Sequence, residues 1–428
     1  MELCLIPPAS RRPIRARVTG SLAGHSLASV ILLVLLLSPF SVSSNQAAGL
    51  EQAKANATEH AADAACLGCH KQQALPYQHT SHHWTSQLVT RASMRFSLPG
   101  GPKTLLIIDP AKTSDEPYLF FQIKTSDHRY YQSAVTGWGS RRQTRTEPMD
   151  IVIGSGRRGQ TFLYWDADRL FELPISYWTE GQQWINSPGY GDGTADFSRP
   201  VNPGCLECHA TAIRALSADP FTNSYEKSTL VTGISCETCH GSGQAHMAKQ
   251  RSGSSREIRG EDESILNPIR FSRDRQVDLC ALCHSGTQRT EVAPAFSFVP
   301  GEPLNNYFRP LLSPDVERPD VHGNQVGLLR RSRCFLASPK MSCSTCHDVH
   351  AAERPAAAYS DRCLSCHQWQ SCGVAKKIGP RIADNCIDCH MPVQATNVIV
   401  SETAGKVTRA TMRNHWIKVY PGPASPVK

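Results

Sequence analysis

The 428-residue chain has no apolar run long enough to cross a membrane comfortably. Its longest covers residues 28–37 and ends near Pro39, against the ~20 apolar residues that a span requires. No cysteine stands at the end of that run, so no lipid attachment site is read there. Beyond residue 200 ordinary apolar periodicity is weak, and a core built from side chains alone is not expected in that half. Gly154, Gly156 and Gly159 match a G-x-G-x-x-G spacing after a strand-like run, but no helix signal follows. TFLYW reads as another strand, which excludes a dinucleotide fingerprint and leaves a hairpin turn.

Against these absences stand seven copies of Cys-x-x-Cys-His. They are Cys66, Cys69, His70; Cys205, Cys208, His209; Cys236, Cys239, His240; Cys280, Cys283, His284; Cys343, Cys346, His347; Cys363, Cys366, His367; and Cys386, Cys389, His390. Each reads as a covalent attachment site for haem c, in which the two thiols bond the porphyrin edge and the adjacent His is the proximal iron ligand. Zinc sites also use paired cysteines, but they do not require a His at that place in every copy. A thioredoxin-like redox pair needs a βαβ setting, and none surrounds these motifs. Seven haems would supply the flat apolar surface that the weak side-chain periodicity lacks.

Seventeen histidines are present. Seven are proximal and His25 falls in the leader, leaving nine for the far side of the irons, where ligand identity separates electron carriage from catalysis. The distal candidates are His83 (or its neighbour His82), His246, His322, His350 and His415. His246 and His350 lie too close to their preceding motifs to reach around their own haems, so neighbouring haems are expected to take them. His60 and His79 are weaker candidates, and His128 reads as a surface residue of a turn. The surplus favours irons with two histidine ligands.

The N-terminus reads as an export signal. Arg11, Arg12, Arg15 and Arg17 precede the apolar run, and small residues follow it. An uncleaved anchor is the alternative. Export fits a periplasmic protein whose haems are attached outside the cytoplasm. Cys334 and Cys372 belong to no motif and read either as a disulfide or as two buried thiols. The formal charge is +8, and removal of residues 1–47 takes four arginines and Glu2, leaving +5. Seven ferric haems would add about −7 through their propionates and irons. The basic balance is thus explained without nucleic acid. Arg330, Arg331, Arg333 and Arg381 read either as propionate partners or as solvated surface charges.

The proximal histidines are separated by 139, 31, 44, 63, 20 and 23 residues. The first gap carries short β-rich runs, including YLFFQIK, MDIVIG and TFLYW, broken by Gly, Pro and Asp. The expected organisation is a signal at 1–47, a first haem-binding segment at 48–94, a β-rich insert at 95–198 and a six-haem domain at 199–428. The expected fold class is mainly α with long loops, organised around covalent haems, with a β-rich insert between the first and second haems.

Several pieces resemble a superfamily of multihaem c-type cytochromes that joins the tetrahaem electron carrier of ammonia oxidation, hydroxylamine oxidoreductase and octahaem reductases. They are CLGCH followed by Tyr77, Ser81 and His83; IGSGRRGQTFLYW; CLECHAT; CETCHGSGQAH; DVHGNQ before CSTCHDVH; and CIDCHMP with the late His415. The resemblance implies a mostly helical, loop-rich body of closely packed haem pairs and periplasmic electron transfer between redox protein partners. Attachment to the periphery of a membrane redox complex is left open. Nitrite-reducing members carry Lys at the active haem in place of the proximal His, whereas every motif here ends in His. The reading is therefore an electron carrier. The alternative is an oxidoreductase acting on a small nitrogen or sulfur compound at one five-coordinate haem.

Overall fold

The computed structural model describes residues 63–96, 103–105, 119–137, 139–252, 262–286, 288–311, 324–352 and 354–420. The leader, His60, Trp138 and His322 lie outside them.

Two short helices, α1 (Asp63–Leu67) and α2 (Lys71–Tyr77), flank the first motif. The chain then enters β1 (Ser86–Leu88), which pairs antiparallel with β6 (Ile151–Ile153) in the register Ser86 to Ile153. β6 continues to β7 (Gly159–Asp166), β9 (Ile175–Trp178) and β10 (Gln183–Asn186), with β8 (Arg169–Glu172) paired to β7, completing a six-stranded sheet. A second sheet holds β2 (Lys103–Leu105), β3 (Leu119–Ser126), β4 (Arg129–Thr136) and β5 (Gln143–Pro148) in sequential order. Alternation in LFFQIK puts Phe121 and Ile123 wholly inside on one face of β3. They join Phe162, Tyr164, Leu173, Ile175 and Trp184 in one apolar cluster, with Phe96 edge-on to Phe162 and Trp184. The glycine-rich stretch is the turn from β6 to β7, with Gly154 at φ 100° and Gly156 at φ 78°. A Cβ on Gly156 would also overlap the Arg95 side chain.

The expectation of a mainly α protein is incorrect. The described residues are 29% helical and 28% strand, arranged in several small sheets. Strands are not confined to the stretch between the first two motifs. β11 (Ala210–Ala215) pairs with β12 (Tyr225–Thr232), β13 (Arg289–Glu291) with β14 (Phe308–Pro310), and β15 (Val393–Thr403) with β16 (Lys406–Arg413). Most helices that carry motif residues are short, α3 (Pro203–Leu206), α4 (Cys236–His240), α9 (Ala356–Leu364) and α11 (Ile387–His390), while α6 (Arg273–His284) holds the fourth motif at the end of twelve residues; α5 (Gln244–Arg251), α7 (Gln325–Arg330), α8 (Arg333–Ala337) and α10 (Ala375–Ile378) lie between motifs. The physical reason is local. One turn of helix suffices to set two cysteines and a His on one side, so a motif does not imply a long helix around it. The β15–β16 hairpin turns on Ala404 and Gly405, at φ 52° and 73°, the paired left-handed conformation of a tight hairpin.

The large sheet is tied to both ends of the motif-bearing region. Asn186 on β10 donates from its amide to Glu402 O (2.7 Å), and its backbone N–H donates to Thr403 Oγ1 (2.9 Å). Ser86 donates to His209 O at 2.5 Å and accepts from the Gly233 N–H at 2.9 Å. Gly233, at φ 70°, packs so closely on the His83 carbonyl that a Cβ would sit 2.3 Å from its oxygen. The sheet thus holds the segment after the first motif and the hairpin that precedes His415.

Candidate haem sites

All seven Cys-x-x-Cys-His motifs line one connected cavity of about 4570 Å³. An ordinary small-molecule pocket is ~300–1,000 Å³, so this space suits several large groups. Four histidine pairs face each other across it. His70 opposes His246 with ring centroids 6.1 Å apart and planes at 28°. His240 opposes His350 at 6.2 Å and 20°, and His347 opposes His415 at 6.1 Å and 22°. His284 opposes His82 at 6.0 Å, with planes at 77°.

These separations fit a metal between two imidazoles. Two metal–nitrogen bonds of about 2 Å each, plus the distance from each nitrogen to its ring centre, span them. In every pair one His belongs to a motif and the other comes from a segment following a different motif. His246, on α5, follows the third motif and faces the first. His350 follows the fifth and faces the third. His82 follows the first and faces the fourth, and His415 follows the last and faces the fifth.

Position after the first motif did not separate His83 from His82. The structure makes His82 the cavity residue. His83 does not line the cavity, and its Nδ1 lies 3.6 Å from Asp63 Oδ2. Asp63 also accepts the Cys236 N–H at 3.1 Å. Burial pushes the Asp63 carboxyl up, but bonds from His83 and Cys236 outweigh it and hold the group below the usual range. His79 lines the cavity without a ring partner among the described residues. His128, at φ 62°, sits in the exposed β3–β4 turn. Among the described residues no His ring opposes His209, His367 or His390.

Burial lowers the basicity of several of these imidazoles. His209 is pushed down to about 4, partly offset by its bond with Thr85. Burial also takes His284 to about 4, aided by the charge of His82, and His415 to about 4, aided by His347. Each shift favours the neutral ring, the state in which imidazole ligates a metal.

The second ring nitrogens are held by neighbouring groups, which fixes ring orientation. His209 Nδ1 meets Thr85 Oγ1 at 2.9 Å, and His240 Nδ1 donates to Leu266 O at 2.8 Å. His390 Nδ1 donates to Lys418 O at 3.0 Å, and His415 Nδ1 to Arg413 O at 3.1 Å. His246 Nδ1 instead donates to the Asp262 carboxylate at 2.8 Å. Sequence reasoning singled out neither Thr85 nor Asp262. Thr85 lies 124 residues and Asp262 16 residues along the chain from the ring it holds.

The motifs also touch one another through their thiols. Cys66 lies beside Cys236, Cys208 beside Cys283, and Cys280 beside Cys343. Cys363 lies close enough to Cys386 and Cys346 for their charges to interact. Cys334 and Cys372 are free thiols in this structure, as are the other described cysteines. Of the four arginines singled out, Arg330, Arg331 and Arg333 line the cavity, and Arg381 does not. Arg331 stacks on Trp416 at 3.7 Å. Arg289 is buried between Glu207 and Glu291, with Nη2 2.7 Å from Glu207 Oε2. Among the described residues no three His, Cys, Asp or Glu side chains converge as a separate metal site.

Comparison with known proteins points the same way. Residues 187–241, which include the second and third motifs, match the family model for cytochrome c554 and c-prime. A 99-residue stretch is 27% identical to the C-type polyheme cytochrome OmcB of Geobacter sulfurreducens, in two strains of that organism. The match covers 23% of this chain and 11% of the length of those relatives. No solved structure matches. Together with the motifs, these likenesses support a multihaem c-type cytochrome, a class that transfers electrons with redox partners. No described helix is long and apolar enough to cross a membrane.

Proposed function

We propose that this protein is an exported electron carrier with seven covalent haems c, passing electrons between redox protein partners in the periplasm. The observation that carries the reading is the set of four histidine pairs, 6.0–6.2 Å between ring centres, each beginning at a Cys-x-x-Cys-His motif in one cavity. The fourteen motif cysteines would hold the porphyrins. His70, His209, His240, His284, His347, His367 and His390 would be proximal ligands, and His82, His246, His350 and His415 distal ones. His322 is retained as a further distal candidate. When bound, each haem supplies a one-electron ferric–ferrous couple. The chain's own part is to hold the imidazoles in fixed orientation and to bring the motif segments against one another. Residues 1–47 would direct export, and the superfamily of the ammonia-oxidation electron carrier is the proposed kinship. Nucleic acid has no part in this reading.

A second reading draws on one observation. Three motif histidines lack an opposing ring among the described residues, and only His60 and His322, among the non-leader histidines, lie outside them. One iron must then take His79 or another ligand, or stay open to a small nitrogen or sulfur compound, which would make the protein an oxidoreductase. Pyridine haemochrome assay with mass spectrometry counts the haems, and electron paramagnetic resonance of the oxidised protein separates low-spin from high-spin irons. Seven haems, all low-spin, with no turnover of hydroxylamine or nitrite, is the carrier result. Four or fewer haems would overturn the count. A high-spin signal perturbed by substrate during steady turnover would replace the carrier with the enzyme.

A further inference from the structure

Helix α5 presents His246, Lys249 and Gln250 three and four residues apart, hence on one face. All three converge on Asp262. His246 Nδ1 and Gln250 Nε2 donate to Oδ2 at 2.8 and 3.0 Å, and Lys249 Nζ donates to Oδ1 at 2.9 Å. The Ser264 N–H and hydroxyl also donate to Oδ1, at 3.0 and 2.5 Å. The carboxylate is therefore pinned, and its free direction is spent on the imidazole that faces His70.

This sets one pair apart. At His209, His240, His390 and His415 the second ring nitrogen instead meets a hydroxyl or a backbone carbonyl. A carboxylate draws the Nδ1 proton more strongly than a neutral oxygen does, so the opposite nitrogen becomes a better donor to iron. A stronger donor, together with a fixed negative charge nearby, favours the ferric state.

We infer that Asp262 is a positioning residue that lowers the reduction potential of the haem at Cys66 and Cys69. The first motif's segment meets the third motif where Asp63 accepts the Cys236 N–H at 3.1 Å. The inference rests on the proposed ligation of that haem by His70 and His246. Lys249 moderates the effect by sharing the carboxylate.

The test is redox titration of the haem-loaded protein followed optically, with spin state followed by electron paramagnetic resonance. His246→Ala identifies the component, because it converts that haem to high-spin. Asp262→Asn should shift the same component's midpoint upward and keep it low-spin, since the Asn carbonyl still accepts from Nδ1. Lys249→Gln should shift it downward. A structural tie alone would move both variants together or neither, so opposite signs are the discriminating result. If His246→Ala leaves all spin states unchanged, the ligation reading fails. If that conversion occurs but both charge variants leave the midpoint in place, or move it the same way, only the role of Asp262 is overturned.

Discussion

The sheet region between the first two motifs and the motif-bearing region beyond it solve the same packing problem with different material. In the sheets, Phe121, Ile123, Phe162 and Leu173 are fully buried against one another. Beyond residue 199, the described side chains form smaller clusters, such as Val277, Leu282, Phe308 and Phe335, around a cavity that all seven motifs line. The first region carries its core in its sequence. The second carries a set of attachment points, and its interior belongs to the groups attached there.

The hardest test of that contrast is to withhold haem attachment. Hydrogen exchange should then show protection kept in β3, β4 and β6–β10 and lost across the motif-bearing segments. Equal protection in both regions, or loss in both, would remove the distinction. Within the sheet region, Phe162→Ala should destabilise by about 3–5 kcal/mol, the usual cost of emptying a fully buried aromatic site. Denaturant unfolding measures this, and the haem spectrum of the folded protein should not change.

Histidine variants sharpen the other side. His82→Ala should turn one haem high-spin, whereas His83→Ala should leave every spin state alone. The near-perpendicular rings of His82 and His284 should give a low-spin signal distinct from those of the three near-parallel pairs, and that signal should be the one lost. Loss of it in His83→Ala would reverse the assignment. Thr85→Val removes the partner of His209 Nδ1 and should cost about 1 kcal/mol, read as a lowered denaturation midpoint with the same haem count.

The smallest expected effect concerns Asp63. Its folded-state carboxyl is held below the usual value. Its contribution is therefore present above the unfolded pKa of about 4 and is lost as pH falls through the lower folded value. Asp63→Asn should flatten the stability profile below about pH 4 and leave its shape near neutrality unchanged, as followed by thermal unfolding against pH.

Much of this chain is legible residue by residue. Alternation in YLFFQIK corresponds to β3, and TFLYW to β7, where residues 161–164 are buried on both faces. The glycine spacing before TFLYW is a turn because a strand follows it. The hairpins beyond residue 199 were harder to see. Their runs, such as VQATNVIVSET and KVTRATMR, mix polar and β-branched residues and lie among haem motifs that suggest helix. The pairing of histidines depended on contacts separated by dozens of residues. His82 and His83 are adjacent in sequence, and what separates them is the close fit of Gly233 against the His83 carbonyl, with Asp63 beside its ring.

The sequence by itself determined where cofactors can be bonded, because Cys-x-x-Cys-His is a covalent requirement met within five residues. It also determined that the first long gap has a side-chain core, since alternation is a property of each strand alone. Tertiary structure decided which imidazole faces which motif, which motifs touch, and which ring is given a carboxylate. Those are relations between segments. They depend on how sheets and hairpins hold distant parts of the chain, and no local spacing encodes them.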